Sequence, residues 1–148
     1  MDRNAGRPDA VADVMGGTAA PDIHGQVRFY QEPGSVRVVA DVAGLPERSE
    51  SGFFAFHIHE GDACTGTDFA QTGSHYHPDN TSHPMHAGDL PPLMREEGRA
   101  HLEVRTDRFR VQDVLGRTVV IHSNPDDFHT QPAGNAGTKI ACGVIVRR

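Results

Sequence analysis

Hydrophobic and polar residues alternate with a period of two along several short stretches of the chain. This period is typical of β-strands that bury one face, because successive side chains point to opposite faces. The alternation, with one continuous apolar run near the C-terminus, predicts strands at His24–Tyr30, Ser35–Val42, Ala100–Val104, Gly116–His122 and Ile140–Val146. Another strand is predicted to begin at Phe109–Val111. No stretch has a convincing helical period, so the pattern predicts an all-β protein.

The stretch Ser51–His59 carries the most informative alternation. One face of this predicted strand is apolar and consists of Phe54, Phe56 and Ile58. If that face packs on the core, His57 and His59 project together from the outer face of the sheet. A single histidine there would be read as a solvated surface residue, whereas two at i and i+2 aim both rings at the same place.

Two long segments, 61–84 and Ser123–Lys139, have no hydrophobic period. Ordered loops of this length in compact domains are usually functional. Residues 88–93 contain glycine and two prolines, so they are predicted to form a turn. The pattern thus predicts about eight strands with two long functional loops.

Length and charge bound the protein's class. The chain has 148 residues, which is the length of one domain. Its net charge is −6 and it has no cluster of Lys and Arg, so nucleic acid is not an expected partner. No apolar run approaches the roughly 18 residues of a membrane span. Residues 1–20 are predicted to form a loosely ordered N-terminal segment that could hold a short strand at Ala10–Met15, followed by the domain at residues 21–148.

Six of the ten histidines lie between His57 and Asp89. Neutral imidazole binds zinc and copper well, and imidazole with carboxylate suits a four-coordinate zinc site. One loop supplies four such groups at close spacing, His75, His83, His86 and Asp89. The pair His57 and His59 needs ligands from elsewhere, and His122 lies on the corresponding face of another predicted strand. The alternative is a loose chelator or a histidine-rich surface patch.

The two cysteines, Cys64 and Cys142, are too far apart in sequence to form a CxxC metal or redox motif. Their spacing leaves a disulfide and two free thiols equally open. A disulfide favours an oxidising compartment, but the N-terminal segment lacks the apolar core of a secretion signal. We therefore expect the periplasm, the cell envelope or secretion if a leader was removed, and the cytoplasm otherwise.

Four motifs resemble those of the copper/zinc superoxide dismutases, most closely the bacterial branch. They are FHIHEGDAC, GSHYHPDNTSHPMHAGDLPPL, GRTVVIHSNPDD and GNAGTKIACGVI, and the similarity runs in order from about His24 to the C-terminus. The resemblance implies an eight-stranded antiparallel Greek-key barrel or sandwich, the immunoglobulin-like architecture that these enzymes are known to share. Residues 21–148 would form this superoxide dismutase-like β-barrel domain.

The resemblance also implies which residues hold metal. The copper ligands would be His57, His59, His75 and His122. The zinc ligands would be His83, His86, Asp89 and His75, so that one histidine is shared between the two metals. Asp126 would accept hydrogen bonds from His57 and His83 and so orient one ligand of each metal. Spacing alone does not separate Asp126 from its neighbour Asp127.

Outside the ligand set, some positions match the family and others depart from it. Cys64 and Cys142 match the family's intrasubunit disulfide. Lys139 stands where the family usually has an arginine beside copper, so the charge remains but the planar fork is lost. His77 stands where asparagine is more common and is expected on the surface or behind the ligands. Three histidines match no ligand position and are expected to be surface or structural residues: His24, His101 and His129.

The implied activity is disproportionation of superoxide to dioxygen and hydrogen peroxide through a copper redox cycle, with copper and zinc as cofactors. Lys139 would attract the superoxide anion, and His75 would deliver a proton. Superoxide dismutases are a known case of electrostatic steering, which here depends on Lys139 and the metals within a chain of negative net charge. Two alternatives are a non-catalytic copper/zinc-binding domain on the same fold and a zinc-only protein. The sequence is compatible with a monomer or a homodimer.

Overall fold

The computed structural model describes residues 7–47 and 51–148. Within these residues the chain forms eight strands: β1 (Ala10–Gly16), β2 (His24–Glu32), β3 (Ser35–Ala43), β4 (Phe53–His59), β5 (Asp89–Met94), β6 (Ala100–Thr106), β7 (Thr118–His122) and β8 (Lys139–Arg147). Helical structure in the described residues is limited to 3₁₀ turns within Thr67–Thr72, interrupted by the left-handed backbone of Asp68 and Phe69, and to the single-turn helix α1 at Val111–Val114.

The eight strands form one sheet in the order β5-β4-β7-β8-β1-β2-β3-β6. Every neighbouring pair is antiparallel. The connections from β3 to β4 and from β6 to β7 cross between the two halves of the sheet, as in a Greek key. The end strands β5 and β6 also approach each other, so the sheet curls into a nearly closed barrel. The predicted fold class is confirmed.

The interior of the barrel is filled by one continuous apolar cluster that takes alternate residues from the strands. Phe54, Phe56 and Ile58 of β4 belong to this cluster, as predicted. His57 and His59 alternate with them and point to the other face. Both histidines are nevertheless buried, with 0% and 2% of their surface exposed, because side chains from two loops pack over them.

The prediction of a turn at residues 88–93 is wrong. Most of this stretch belongs to β5, an end strand of the sheet that pairs with β4. Pro91 and Pro92 have no N–H to donate, which an edge strand tolerates because one of its sides needs no partner. The register with β4 also shifts between Leu90 and Leu93, so both prolines lie in a bulge.

The strand predicted to begin at Phe109–Val111 is also wrong. Phe109 is buried beside Phe29, with 6.5 Å between the ring centroids, and helix α1 begins at Val111. Val111 and Val114 are buried three residues apart, which places both on one side of a single helical turn. Periodicity alone does not separate a strand from a helix in so short an apolar run.

The N-terminal part of the described chain contributes to the sheet. Residues Ala10–Gly16 form β1, which lies between β8 and β2. Residues 1–6 of the predicted loose segment lie outside the described residues, and the domain boundary at residue 20 stays a prediction. In the described part of the chain no helix is both long enough and apolar enough to cross a membrane.

Candidate metal centre

Two neighbouring strands and one long loop bring the predicted ligands together. β4 carries His57 and His59 and pairs directly with β7, which ends at His122. The loop from β4 to β5, with the first residue of β5, supplies the remaining candidates: His75, His83, His86 and Asp89. Strand pairing therefore sets one part of the cluster, and the loop adds the rest.

Four histidine nitrogens form what we call the four-histidine group, within 4.8 Å of one another: those of His57, His59, His75 and His122. All four residues are buried. The Nε2 atoms of His59 and His122 lie 3.2 Å apart. Nδ1 of His59 donates to the Gly73 carbonyl at 2.8 Å, and Nδ1 of His122 lies 3.3 Å from the Gly137 carbonyl. In neutral rings both Nε2 atoms then carry lone pairs that face each other, an arrangement that a cation between them would stabilise.

Three further ring nitrogens converge on one carboxylate, in what we call the Asp89 group: His75, His83, His86 and Asp89. Oδ1 of Asp89 lies 2.7 Å from Nδ1 of His75. Its Oδ2 lies 3.0 Å from Nδ1 of His83 and 3.2 Å from Nδ1 of His86. Three imidazoles and a carboxylate at one place are the donor set of a four-coordinate zinc site.

His75 belongs to both groups. Its Nδ1 faces Asp89, while its Nε2 is buried without a hydrogen-bond partner among residues 7–47 and 51–148. Nδ1 of His57 is likewise buried and makes no hydrogen bond within the described chain. Nδ1 of His83 makes none either, although Oδ2 of Asp89 is 3.0 Å away, because a neutral ring whose Nε2 donates to Asp126 has a lone pair at Nδ1. Buried polar atoms are normally satisfied, so these nitrogens need a partner that is not a hydrogen-bonding group of the described residues. Metal ions fit that need.

Asp126 links the two groups from outside. Its Oδ2 accepts a hydrogen bond from Nε2 of His57 at 2.8 Å, and its Oδ1 accepts one from Nε2 of His83 at 2.7 Å. Burial would raise the pKa of Asp126, but the hydrogen bonds from these two rings outweigh it and lower the pKa to about 2. The ionised carboxylate thereby turns Nδ1 of each ring towards its group. Asp127 instead accepts hydrogen bonds from the backbone of its own turn, so geometry separates the two aspartates.

Burial lowers the pKa of several cluster histidines. It lowers the pKa of His122 to about 3, and the pKa of His59 well below its usual value. It also lowers the pKa of His57, against the opposing effect of the hydrogen bond to Asp126. These rings are therefore neutral at pH 7, which is the form that binds a metal.

Acid is expected to destabilise the metal-free protein. The pKa of His122 is about 3 in the folded chain against an ordinary 6.5, so the unfolded state binds more protons between these values. The free energy of unfolding should be highest above about pH 6.5 and should fall as the pH drops towards 3. Asp126, whose pKa is lowered, adds a loss in the same direction below about pH 4. Urea unfolding of chelator-treated protein at several pH values tests this, and a midpoint independent of pH would contradict it.

Lys139 lies beside the four-histidine group. Its Nζ donates to Oγ1 of Thr72 at 2.7 Å and to the Gly73 carbonyl at 3.0 Å. The same carbonyl accepts the hydrogen bond from Nδ1 of His59. One carbonyl therefore connects the cation with a member of the group.

The predicted disulfide is confirmed. Cys64 and Cys142 are bonded, with their Cα atoms 5.8 Å apart. The bond joins the loop that contains Thr72 and Gly73 to β8, the strand that begins at Lys139. It therefore ties together the two segments whose contact holds the lysine.

Other histidines lie outside these two groups. The ring centroid of His77 is 4.8 Å from that of His86, and its Nδ1 is also buried without a hydrogen-bond partner in the described chain, but His77 belongs to neither ligand group formed by the described residues. The remaining three are exposed: His24, His101 and His129. None of these positions adds a ligand atom to the cluster in the part of the chain that is described.

Two side chains outside the sequence motifs contact the ligand-bearing loop. The side-chain amide of Gln131 bonds the backbone of His83, and the guanidinium of Arg108 contacts the backbone carbonyls of three residues in the loop. A motif search could not find them, because they act on backbone groups of another segment.

The antiparallel barrel has the β-sandwich architecture. It buries two histidine groups with a shared member on the outer face of its sheet, and together these groups form a candidate metal centre. Residues 23–145 match the family model described as copper/zinc superoxide dismutase (SODC). The chain belongs to the copper/zinc superoxide dismutase family, and the resemblance carried by its four motifs is confirmed.

Relatives match this chain over most of its length. The superoxide dismutase [Cu-Zn] of Deinococcus radiodurans is 34% identical, over 95% of this chain and 85% of that protein. The superoxide dismutase [Cu-Zn] of Legionella pneumophila is 33% identical, over 93% and 86% respectively. The copper chaperone for superoxide dismutase of Rattus norvegicus is 30% identical, over 93% of this chain and 53% of the chaperone. One of these relatives is thus named a copper chaperone and not a dismutase.

Proposed function

We propose that this protein is a copper- and zinc-dependent superoxide dismutase. Copper would be held by the four-histidine group, and zinc by the Asp89 group. The observation that carries the proposal is the buried, shared His75, with one ring nitrogen facing each group. The names of the Deinococcus and Legionella relatives support it.

Bound copper supplies the one-electron redox chemistry that disproportionates superoxide to dioxygen and hydrogen peroxide. The protein's own contribution is to prepare the ligands. Burial keeps His59 and His122 neutral at pH 7, so their Nε2 lone pairs are free. Asp126 fixes the ring orientation of His57 and His83. The pairing of β4 with β7 places His57 and His59 next to the strand that carries His122.

Lys139 is the residue proposed to bind the superoxide anion. Its ammonium group has three N–H donors, and Thr72 and Gly73 accept two of them. Within the described residues the third donor has no acceptor and is available to an anion. Lys139 is half-buried beside the four-histidine group, so its charge is screened less than that of a fully exposed lysine.

His75 is the residue proposed to carry a proton. Its Nε2 belongs to the four-histidine side of the ring, while the contact of Nδ1 with Asp89 holds the ring in place. Nε2 can hold either a metal or a proton, not both at once. A proton taken up from solvent at Nε2, while that atom is free of metal, would lie where superoxide is reduced, and its release to the reduced product would give His75 a catalytic role besides ligation.

Two substitutions of Lys139 are expected to change the rate of superoxide dismutation in opposite directions. Lys139→Arg keeps the charge and adds a planar fork of donors, so the rate should rise by about two- to tenfold. Lys139→Ala removes the charge and should lower the rate by about tenfold, since steering contributes about 10-fold or more. Stopped-flow decay of superoxide at low and high salt measures both variants.

The matched control is Arg147→Ala, which removes one positive charge at the exposed end of β8. Superoxide should decay at the same rate with this variant as with the wild-type protein. Unaltered activity of both Lys139 variants at low salt would remove Lys139 from the proposal. Lys139 is the only lysine in the sequence, so acetylation of lysine offers an independent way to neutralise it.

Superoxide decay by metal-reconstituted protein tests the proposed activity itself. Protein loaded with copper and zinc should act catalytically, whereas zinc-loaded protein should not exceed background. Background activity at full copper loading would instead favour a non-catalytic copper-binding protein. The relative named as a copper chaperone is the reason to test this alternative. Failure to take up copper would favour a zinc-only protein.

The proposal includes an oxidising compartment, such as the periplasm, the cell envelope or the outside of the cell. The Cys64–Cys142 disulfide supports it, because such bonds persist in oxidising compartments and are rare in the cytosol. Cell fractionation followed by detection of the protein tests this part. Recovery of the protein solely in the cytosolic fraction would contradict it.

A further inference from the structure

The loop formed by residues 77–89, which we call the 77–89 loop, is held at its backbone by two side chains from elsewhere in the chain. We infer that Gln131 and Arg108 are positioning residues for the zinc ligands His83 and His86. This inference rests on the proposed function, because it concerns the zinc site of that proposal. It concerns residues that touch neither the substrate nor a metal-ligand atom.

Gln131 forms a two-point contact with His83. Its Nε2 donates to the backbone carbonyl of His83 at 2.6 Å, and its Oε1 accepts from the backbone N–H of His83 at 2.9 Å. The amide thus pairs with His83 as a neighbouring β-strand would. Because Asp126 bonds the ring of the same residue, the loop after β7 holds both the backbone and the side chain of His83.

Arg108 holds the other end of the 77–89 loop from the segment between β6 and α1. Its Nη1 lies 2.8 Å from the carbonyl oxygen of Pro84 and 3.2 Å from that of His86, with the carbonyl of Asp89 at 3.4 Å. Its Nη2 lies 3.7 Å from Sδ of Met85. One guanidinium therefore contacts the backbone carbonyls of His86 and Asp89, two members of the Asp89 group, together with that of Pro84.

The 77–89 loop has little apolar packing of its own to set its shape. Residues 78–82 and Met85 are exposed, while His83 and His86 are buried. Ordering a polar segment costs conformational entropy that burial of apolar surface does not offset here. Hydrogen bonds from outside the loop are therefore well placed to hold the ligands in position before and after the metal binds.

Gln131 and Arg108 are themselves exposed, so their contribution comes from hydrogen bonds and not from filling the core. This permits a near-isosteric test. Gln131→Glu keeps the shape and the acceptor for the His83 N–H, but it replaces the donor with an oxygen that faces the His83 carbonyl. A packing role would tolerate this change, whereas a hydrogen-bonding role would not.

Zinc release from the copper- and zinc-loaded protein tests the inference. The protein is mixed with an excess of a chromogenic zinc chelator, and the release rate is followed by absorbance. Gln131→Ala and Arg108→Ala should each release zinc about tenfold faster than wild type, the low end of the range for partners that orient metal ligands. Gln131→Glu should release it at least as fast as Gln131→Ala, and Arg108→Lys should fall between wild type and Arg108→Ala.

The controls are Gln112→Ala and Arg110→Ala, which remove the same side chains from exposed positions in or next to α1. Both should release zinc at the wild-type rate. Cobalt substituted for zinc gives a second readout, since its visible spectrum should shift in the Gln131 and Arg108 variants and not in the controls. The unfolding midpoint of the metal-free variants should stay close to wild type, because the contacts act on the metal-binding loop.

The possible outcomes separate the two proposals. Wild-type protein that retains no zinc would overturn the zinc site, and this inference with it. Wild-type protein that retains zinc, with Gln131 and Arg108 variants releasing it at the control rate, would overturn this inference alone. A Gln131→Glu variant that behaves as wild type would remove Gln131 as a hydrogen-bonding positioner even if the alanine variant is impaired.

Discussion

Asparagine in place of His122 is expected to lower the superoxide dismutation rate of the copper- and zinc-loaded protein by more than about 100-fold. Loss of a partner that merely orients a ligand already costs about 10- to 100-fold in metal affinity or activity, and loss of the ligand should exceed that. His122 is buried on β7, with its Nε2 3.2 Å from that of His59. Superoxide decay after pulse radiolysis measures the rate, and mass spectrometry of the same sample measures copper and zinc.

His101→Asn is the matched control, because His101 is exposed on β6 and pairs with Asp41 at the surface. It should keep wild-type activity and both metals. The His122 variant should lose copper and keep zinc, since His122 lies outside the Asp89 group. Wild-type activity with a full complement of copper in the His122 variant would contradict its assignment as a copper ligand.

Loss of the Cys64–Cys142 disulfide is expected to lower the free energy of unfolding of the metal-free protein by about 4–5 kcal/mol, the chain-entropy value for a loop of this length. The two cysteines are 78 residues apart. The same bond joins the loop of Thr72 and Gly73 to β8, so its loss should also loosen the contacts of Lys139. Urea unfolding of oxidised and reduced protein measures the difference in stability.

The double variant Cys64→Ser/Cys142→Ser separates the effect of the bond from that of the reductant. It should unfold at the midpoint of reduced wild-type protein and should not respond to added reductant. Metal-free samples are essential, because bound metal adds its own stabilisation. Equal midpoints for oxidised and reduced wild-type protein would show that the bond does not stabilise the fold.

The sequence predicted the part of the site that lies on regular strands. In β4 the alternation of Phe56 and Ile58 with His57 and His59 is visible as a period of two, and the structure keeps that alternation. The close spacing of the loop ligands before Asp89 is also visible in the sequence. Both signals are local in the sequence, so they can be recognised without knowing the tertiary structure.

Contacts between distant segments could not be predicted from the residue pattern alone; the family resemblance was needed to assign Asp126 and the Cys64–Cys142 pairing. Asp126 and Asp127 are equivalent by spacing, and the position of the loop against His57 and His83 distinguishes them. Gln131 acts on the backbone of another loop and carries no motif. β5 was missed for a local reason, because its two prolines obscure the signal of an edge strand.

Anomalous diffraction at the copper and zinc edges of crystals of the loaded protein tests the central claim most directly. The account predicts two metal positions, one on each side of the His75 ring. The copper-edge signal should lie with His57, His59 and His122, and the zinc-edge signal with His83, His86 and Asp89. A single metal position, zinc in both positions, or metal bound away from His75 would contradict it.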